Sequence, residues 1–137
     1  MLRRPKGFVI LFLDFRKAFD LVTHSILIEK LQALCITRKF LSSIKSYLST
    51  RTQCVKVANS FSTTQPVISG VPQGSILAPP LFLLFINDLL VLPLNCKAHE
   101  YADDTSFYLS HHDPSILQDL ISCDLKRIDN WCNANKM

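Results

Sequence analysis

The 137-residue chain has only three glycines, no Cys-x-x-Cys pair, and no charged residue except Asp88 between Lys56 and Lys97. So few glycines exclude a collagen-like or flexible-linker protein. The five cysteines (Cys35, Cys54, Cys96, Cys123 and Cys132) are odd in number and widely spread, with no histidine at zinc spacing. That pattern reads as free thiols, most of them small core residues, not a metal ribbon or a disulfide framework. Charged residues make up 19% of the chain and apolar ones 48%, which excludes a disordered tail. No cleavable leader is visible, because Met1-Leu2-Arg3-Arg4-Pro5 is followed by one short apolar run ending at Asp14. An intracellular, reducing setting is expected, with nucleus or cytoplasm left open.

The near-uncharged stretch raises the question of a membrane span. Residues Ile76 to Leu94 are very apolar, but Pro79-Pro80, Asn87-Asp88 and Pro93 cut them into short pieces. A spanning helix needs about 20 mostly apolar residues, and an Asp at its centre costs roughly 2.5–3.5 kcal/mol. A buried helix is the better reading, so no membrane partner is expected. The net charge of +4 hides a split: residues 1–60 carry eleven Lys/Arg against three acids, and residues 61–137 carry four against eight. Basic surfaces attract phosphate and acidic clusters attract cations.

The run Phe8–Leu13 is continuous, β-branched and aromatic, the pattern of a strand covered on both faces. Helical spacing follows over about 25–34 (Ile26, Leu27, Leu31, Leu34) and 38–48 (Phe40, Leu41, Ile44, Leu48). Val55, Val57, Val67 and Ile68 around Asn59-Ser60 predict a hairpin over 52–69. Gly70, Pro72 and Gly74 mark a loop. Pro79 or Pro80 suits the first turn of a helix running to about Val91. Two short strands flank Ala102-Asp103-Asp104. Asp113-Pro114 then opens a last helix with Leu117, Leu120, Ile121, Leu125, Ile128 and Trp131 on one stripe. The order β-α-α-β-β-α-β-β-α is that of an α+β domain, a sheet covered by helices on one face.

Three places can carry chemistry. Asp14 ends a buried strand, where a charge needs a partner or a metal; on strand context alone it reads first as a turn cap. Asp103-Asp104 are adjacent carboxylates in a tight turn, which a hard cation would stabilise and which also suit a solvated turn. If the two strands end at one edge, Asp14 and Asp103 lie side by side. Carboxylates converging there can hold two metals about 3.5–4 Å apart, the arrangement of in-line phosphoryl transfer. The third is Gly70-Val71-Pro72-Gln73-Gly74-Ser75, where glycine admits close approach of a ligand and Gln73 offers donor and acceptor. It is not a Walker A loop, since no GK[ST] follows, and it reads also as an ordinary loop before a helix.

Taken together, Leu13-Asp14-Phe15-Arg16-Lys17-Ala18-Phe19-Asp20, Gly70-Val71-Pro72-Gln73-Gly74-Ser75 and Tyr101-Ala102-Asp103-Asp104-Thr105 resemble, in order and spacing, motifs A, B and C of reverse transcriptases. The nearest resemblance is to the enzymes of non-LTR (LINE, jockey-like) retrotransposons. Connecting segments agree: His24-Ser25-Ile26-Leu27, Lys45-Ser46-Tyr47-Leu48-Ser49, Ile86-Asn87-Asp88-Leu89 and Trp131-Cys132-Asn133-Ala134-Asn135-Lys136. The resemblance implies a polymerase palm, a ferredoxin-like antiparallel sheet backed by helices on one face. It implies two Mg²⁺ ions (Mn²⁺ able to replace them) on Asp14 and Asp103, with Asp104 close to the metals and the primer end as the third catalytic carboxylate. Phe19 takes the place of the steric gate that favours deoxynucleotides, and the backbone of Phe15 that of a triphosphate contact. Gln73 and Gly74 match the turn that touches template and nascent base pair. Tyr101 matches the aromatic near the primer, and the partners implied are an RNA template, a DNA primer and dNTPs. Basic residues such as Arg16, Lys17, Lys45, Arg51 and Lys56 then suit template or triphosphate, or are solvated helix faces.

By the same resemblance, residues 1–137 correspond to a palm whose fingers and thumb segments are absent, and Lys136 does not match the family's later palm lysine. A non-catalytic remnant that folds and binds nucleic acid is the alternative. His99-Glu100 stand where apolar residues are usual, and Pro80 where a non-proline is usual. Oligomeric state is open, and truncated edges would leave apolar surface uncovered.

Overall fold

The computed structural model describes residues 7–101 and 104–137. Two compact units emerge: residues up to Ala18 together with Ile86–Met137, and residues Phe19–Phe85.

In the first unit, strands β1 (Gly7–Asp14), β6 (Lys97–Tyr101) and β7 (Asp104–His111) form an antiparallel sheet in the order β1-β7-β6. Leu11 faces Phe107 and Leu13 faces Thr105 across the β1·β7 ladder, and the latter pair stands beside Glu100 of β6. Helix α5 (Pro114–Asn135) lies against β7 on this face, burying Phe107, Leu117, Ile128 and Trp131. Its start follows the sequence signal: Asp113 accepts a hydrogen bond from the Ser115 backbone N–H at 2.9 Å, with Pro114 at the first helical position.

Among the described residues nothing covers the opposite face of the sheet, which corrects the expectation for β1. Phe8, Ile10 and Phe12 are 59%, 47% and 77% exposed, alternating with half-buried Val9, Leu11 and Leu13. In an antiparallel sheet with a helix on one side, alternate residues turn outward whatever their polarity. Tyr108 tilts against Phe8 on that outer face, ring centroids 6.5 Å apart.

The second unit holds α2 (His24–Ala33), α3 (Arg38–Ser49) and most of α4 (Ala78–Ile86); a short helix α1 (Ala18–Leu21) leads into it. Leu27 and Leu31 of α2 and Leu41, Ile44 and Leu48 of α3 are buried at helical spacing, whereas Leu34 and Phe40, expected on the same stripes, are 46% and 47% exposed. Lys30 Nζ donates to the Phe85 carbonyl at 2.6 Å and sits 4.6 Å from the Phe85 ring, tying α2 to α4. Instead of one two-stranded hairpin, residues 52–66 form two short antiparallel ribbons: β2 (Thr52–Gln53) with β5 (Gln65–Pro66), and β3 (Lys56–Val57) with β4 (Ser60–Phe61). Pro79 and Pro80 lie exposed in the first turn of α4, where backbone N–H groups have no intrahelical partner, so Pro80 is accommodated. The helix ends at Ile86, and a single 3₁₀ turn, Asn87–Leu89, follows. Among the described residues no helix is long and apolar enough to cross a membrane.

Candidate active site

The last pair of the β1·β7 ladder is Asp14 opposite Asp104. β1 brings Asp14 to the sheet edge as its final residue, and β7 opens on Asp104, which also pairs with Tyr101 of β6. Directly opposed residues have Cβ atoms about 4.5–5.5 Å apart. Both carboxylates are solvent-exposed on the outer face, and with Phe12, His99, Thr105 and Ser106 they line a cavity of about 270 Å³. Like charges directly opposed on a strand pair are destabilising, and two acceptor-only groups in this position suit a hard cation. Asp103, expected beside Asp14, lies outside the described residues, as does Ala102. Among the described residues no group of three or more His, Cys, Asp or Glu is gathered to hold a metal.

Phe15 is buried, its ring 6.2 Å from Trp131, while its carbonyl accepts from Ala18 N–H at 3.1 Å. Arg16 and Lys17 in the same turn are exposed, and Lys17 adopts a left-handed φ of 56°.

In the Phe19–Phe85 unit, the Phe19 ring stacks obliquely on Phe82 with centroids 4.9 Å apart. The Gly70–Ser75 loop is stapled to the segment after Phe19. Gly70 N–H donates to Val22 and Val71 N–H to Phe19, both at 2.8 Å, and His24 Nε2–H donates to the Gly70 carbonyl at 2.8 Å. Ser75 Oγ accepts from Tyr47 Oη at 2.7 Å and caps the turn by accepting from Ala78 N–H. Gly70 needs its missing side chain: φ is +84°, and a Cβ would meet the Asp20 carbonyl oxygen at 3.0 Å and its Cα at 3.1 Å. Gly70→Ala is therefore expected to cost about 1–3 kcal/mol, read as a lower urea midpoint; no loss would refute the staple. Gln73 and Gly74 are exposed at the tip, Gly74 also at positive φ.

The odd pair in β6 separates by face. His99 points to the outer face beside the carboxylates, whereas Glu100 turns inward opposite Thr105. Glu100 Oε1 and Thr105 Oγ1 are buried without hydrogen-bond partners, and burial pushes the Glu100 carboxyl above its ordinary range. Glu100→Val is expected to stabilise the chain by roughly 1–3 kcal/mol at pH 7. Because the folded-state affinity for the proton is raised, the parent's penalty is complete at high pH and relieved as pH falls toward 4.5. Urea titrations at pH 7 and 5 should thus show the gap narrowing, and a constant gap would refute the assignment.

The sequence pattern of the family described as reverse transcriptase (RNA-dependent DNA polymerase) matches residues 1–137. The chain belongs to the reverse transcriptase family. Among curated relatives, it is 33% identical over 139 residues to the RNA-directed DNA polymerase from mobile element jockey of Drosophila melanogaster, covering 91% of this chain and 15% of that protein. It is 37% identical over 106 residues to the probable RNA-directed DNA polymerase from transposon BS of the same organism, covering 72% of this chain and 12% of that protein. To the Pol polyprotein from type-1 retrotransposable element R2 of Popillia japonica it is 37% identical over 86 residues, 62% of this chain and 12% of that one. The chain thus spans only 12–15% of the length of those relatives. The relatives' names agree with the non-LTR retrotransposon resemblance of its motifs.

One residue that motif reasoning passed over is Asp124 in α5. It is 1% exposed and accepts four hydrogen bonds of 2.8–3.0 Å from Asn95 N–H (to both oxygens), Asn95 Nδ2 and Cys96 N–H. Arg127 lies 3.2 Å from the same carboxylate. This is a structural clamp on the chain entering β6.

Proposed function

We propose that residues 1–137 form the palm of an RNA-directed DNA polymerase, which joins a primer 3′-hydroxyl to the α-phosphate of a dNTP on an RNA template and releases pyrophosphate. The observation carrying this reading is Asp14 held opposite Asp104 at the end of a strand ladder. Asp14 and Asp103 would hold two Mg²⁺ ions, or Mn²⁺, with Asp104 as the third carboxylate beside them. Such ions, when bound, stabilise charge on the reacting phosphate and favour the ionised primer hydroxyl. The chain's own residues bind and orient. Phe19, braced by Phe82, acts as the gate against a ribose 2′-hydroxyl. The Phe15 backbone and Gly74 approach the nucleotide, Gln73 the nascent pair and template, and Tyr101 the primer. Exposed Arg16 and Lys17 meet phosphate. The three antiparallel strands with α5 on one face support the ferredoxin-like reading of the palm.

The test is extension of a DNA primer on an RNA template with Mg²⁺ or Mn²⁺. Extension with dNTPs, and poor use of ribonucleotides, is expected. A chain shown to be folded by circular dichroism that extends nothing would overturn it. The second reading, a folded remnant that binds nucleic acid without catalysis, draws on half-buried Glu100, whose Oε1 has no hydrogen-bond partner, in the strand leading to the carboxylates.

A further inference from the structure

Gln73 is exposed at the tip of the Gly70–Ser75 loop, yet its amide is not free to turn. Nε2 donates to Asp20 Oδ1 at 3.0 Å, across 53 residues of sequence. A carboxylate only accepts, so the amide nitrogen must face Asp20; a flipped amide would set oxygen against oxygen. The Gly70 and Val71 bonds to Val22 and Phe19 fix the two backbones on either side of this contact. Asp20 and Gln73 line one cavity of about 520 Å³, together with Arg51, Gln53, Ser69 and Gly70. Arg51 supplies positive charge there, suited to a phosphate-bearing ligand. With its nitrogen engaged, Gln73 is left to present Oε1, an acceptor.

We propose that Asp20 is a positioning residue that holds Gln73 as a hydrogen-bond acceptor, and that the group Gln73 meets is a donor on the template strand: a ribose 2′-hydroxyl or the exocyclic amine of guanine. Both are donors that a glutamine carbonyl can read. The inference rests on the reading that Gln73 touches the template.

The test is equilibrium binding, by fluorescence anisotropy, of the whole chain to template–primer duplexes with a dideoxy-terminated primer. One arm compares RNA with DNA templates of the same sequence, the other guanine with inosine, which lacks the amine. The parent is expected to prefer the donor-bearing template roughly 3–10-fold, the range of one hydrogen bond, and the arm showing the preference identifies the source. Asp20→Ala and Gln73→Ala should each bring the preference near unity, the double variant adding nothing further. Asp20→Asn, which keeps an acceptor oxygen, should restore most of it. A merely structural Asp20 would lower the melting temperature and leave the preference intact. That result, additive losses, or no preference in the parent would each overturn the proposal. Coupled binding in a chain that extends no primer would sink the polymerase reading alone, and extension with additive losses would sink this inference alone.

Discussion

Asp14→Asn is expected to lower primer extension by a thousand-fold or more while leaving the fold as stable as the parent's, or slightly more so. The activity loss follows from the role proposed for the carboxylate. Ion-assisted charge stabilisation is worth several kcal/mol, and each ~1.36 kcal/mol is tenfold in rate. The stability gain follows from register alone. Asp14 faces Asp104 directly, and removing one of two like charges from a cross-strand pair relieves roughly 0.2–1 kcal/mol. The two effects have opposite signs in one variant, so the measurement is paired: single-nucleotide extension rate and urea midpoint on the same preparation. Activity retained within about tenfold would remove Asp14 from the catalytic set. Lost activity with lost stability would make its role structural.

Asp124→Ala should produce the largest stability change in the molecule, about 3–5 kcal/mol. Truncation strands the N–H groups of Asn95 and Cys96, which the carboxylate alone satisfies among the described residues. Burial by itself would raise the Asp124 carboxyl, but the Asn95 and Cys96 N–H groups outweigh it and hold the group below its usual range. Burial and this carboxylate together push the neighbouring Cys96 thiol up to about 12. A depressed folded-state value means the contribution is complete above the unfolded value of 3.8 and is lost as pH falls below it. Urea midpoints of the parent should therefore decline on acidification below about pH 4, and those of Asp124→Asn should decline less steeply. Parallel curves would refute the clamp.

The contrast between these two aspartates shows what the sequence made legible. Asp14 was visible because an apolar run ends on it abruptly, and its motif neighbours recur in order. Its partner in the ladder, Asp104, was not, and Asp103, expected beside it, lies outside the described residues. Register between two strands is set by long-range pairing, which no local pattern encodes. Asp124 was hidden because an acid in a helix reads as solvated. The signal was nevertheless present, since 117, 121, 124, 128, 131 and 135 run at helical spacing through it and leave Leu125 43% exposed. The exposed face of β1 was missed for a related reason: a continuous apolar run does not reveal whether anything covers its second side. The starts of α2, α3, α4 and α5 follow local spacing and their proline and aspartate signals, whereas α4 stops at Ile86, short of the expected Val91, and the four-residue α1 carries no such signal.

The staple between the Phe19–His24 segment and the Gly70–Ser75 loop has a kinetic consequence. His24 and Gly70 are 46 residues apart, and closing a loop of that length costs on the order of 3 kcal/mol of chain entropy. The ribbons and the α2–α3 pair involve nearer neighbours in sequence and close more cheaply. The staple is therefore expected to join after those nearer contacts, so that breaking its bonds raises the unfolding rate more than it lowers the folding rate. The lifetime of the loop that carries Gln73 is set by how slowly that closure reopens.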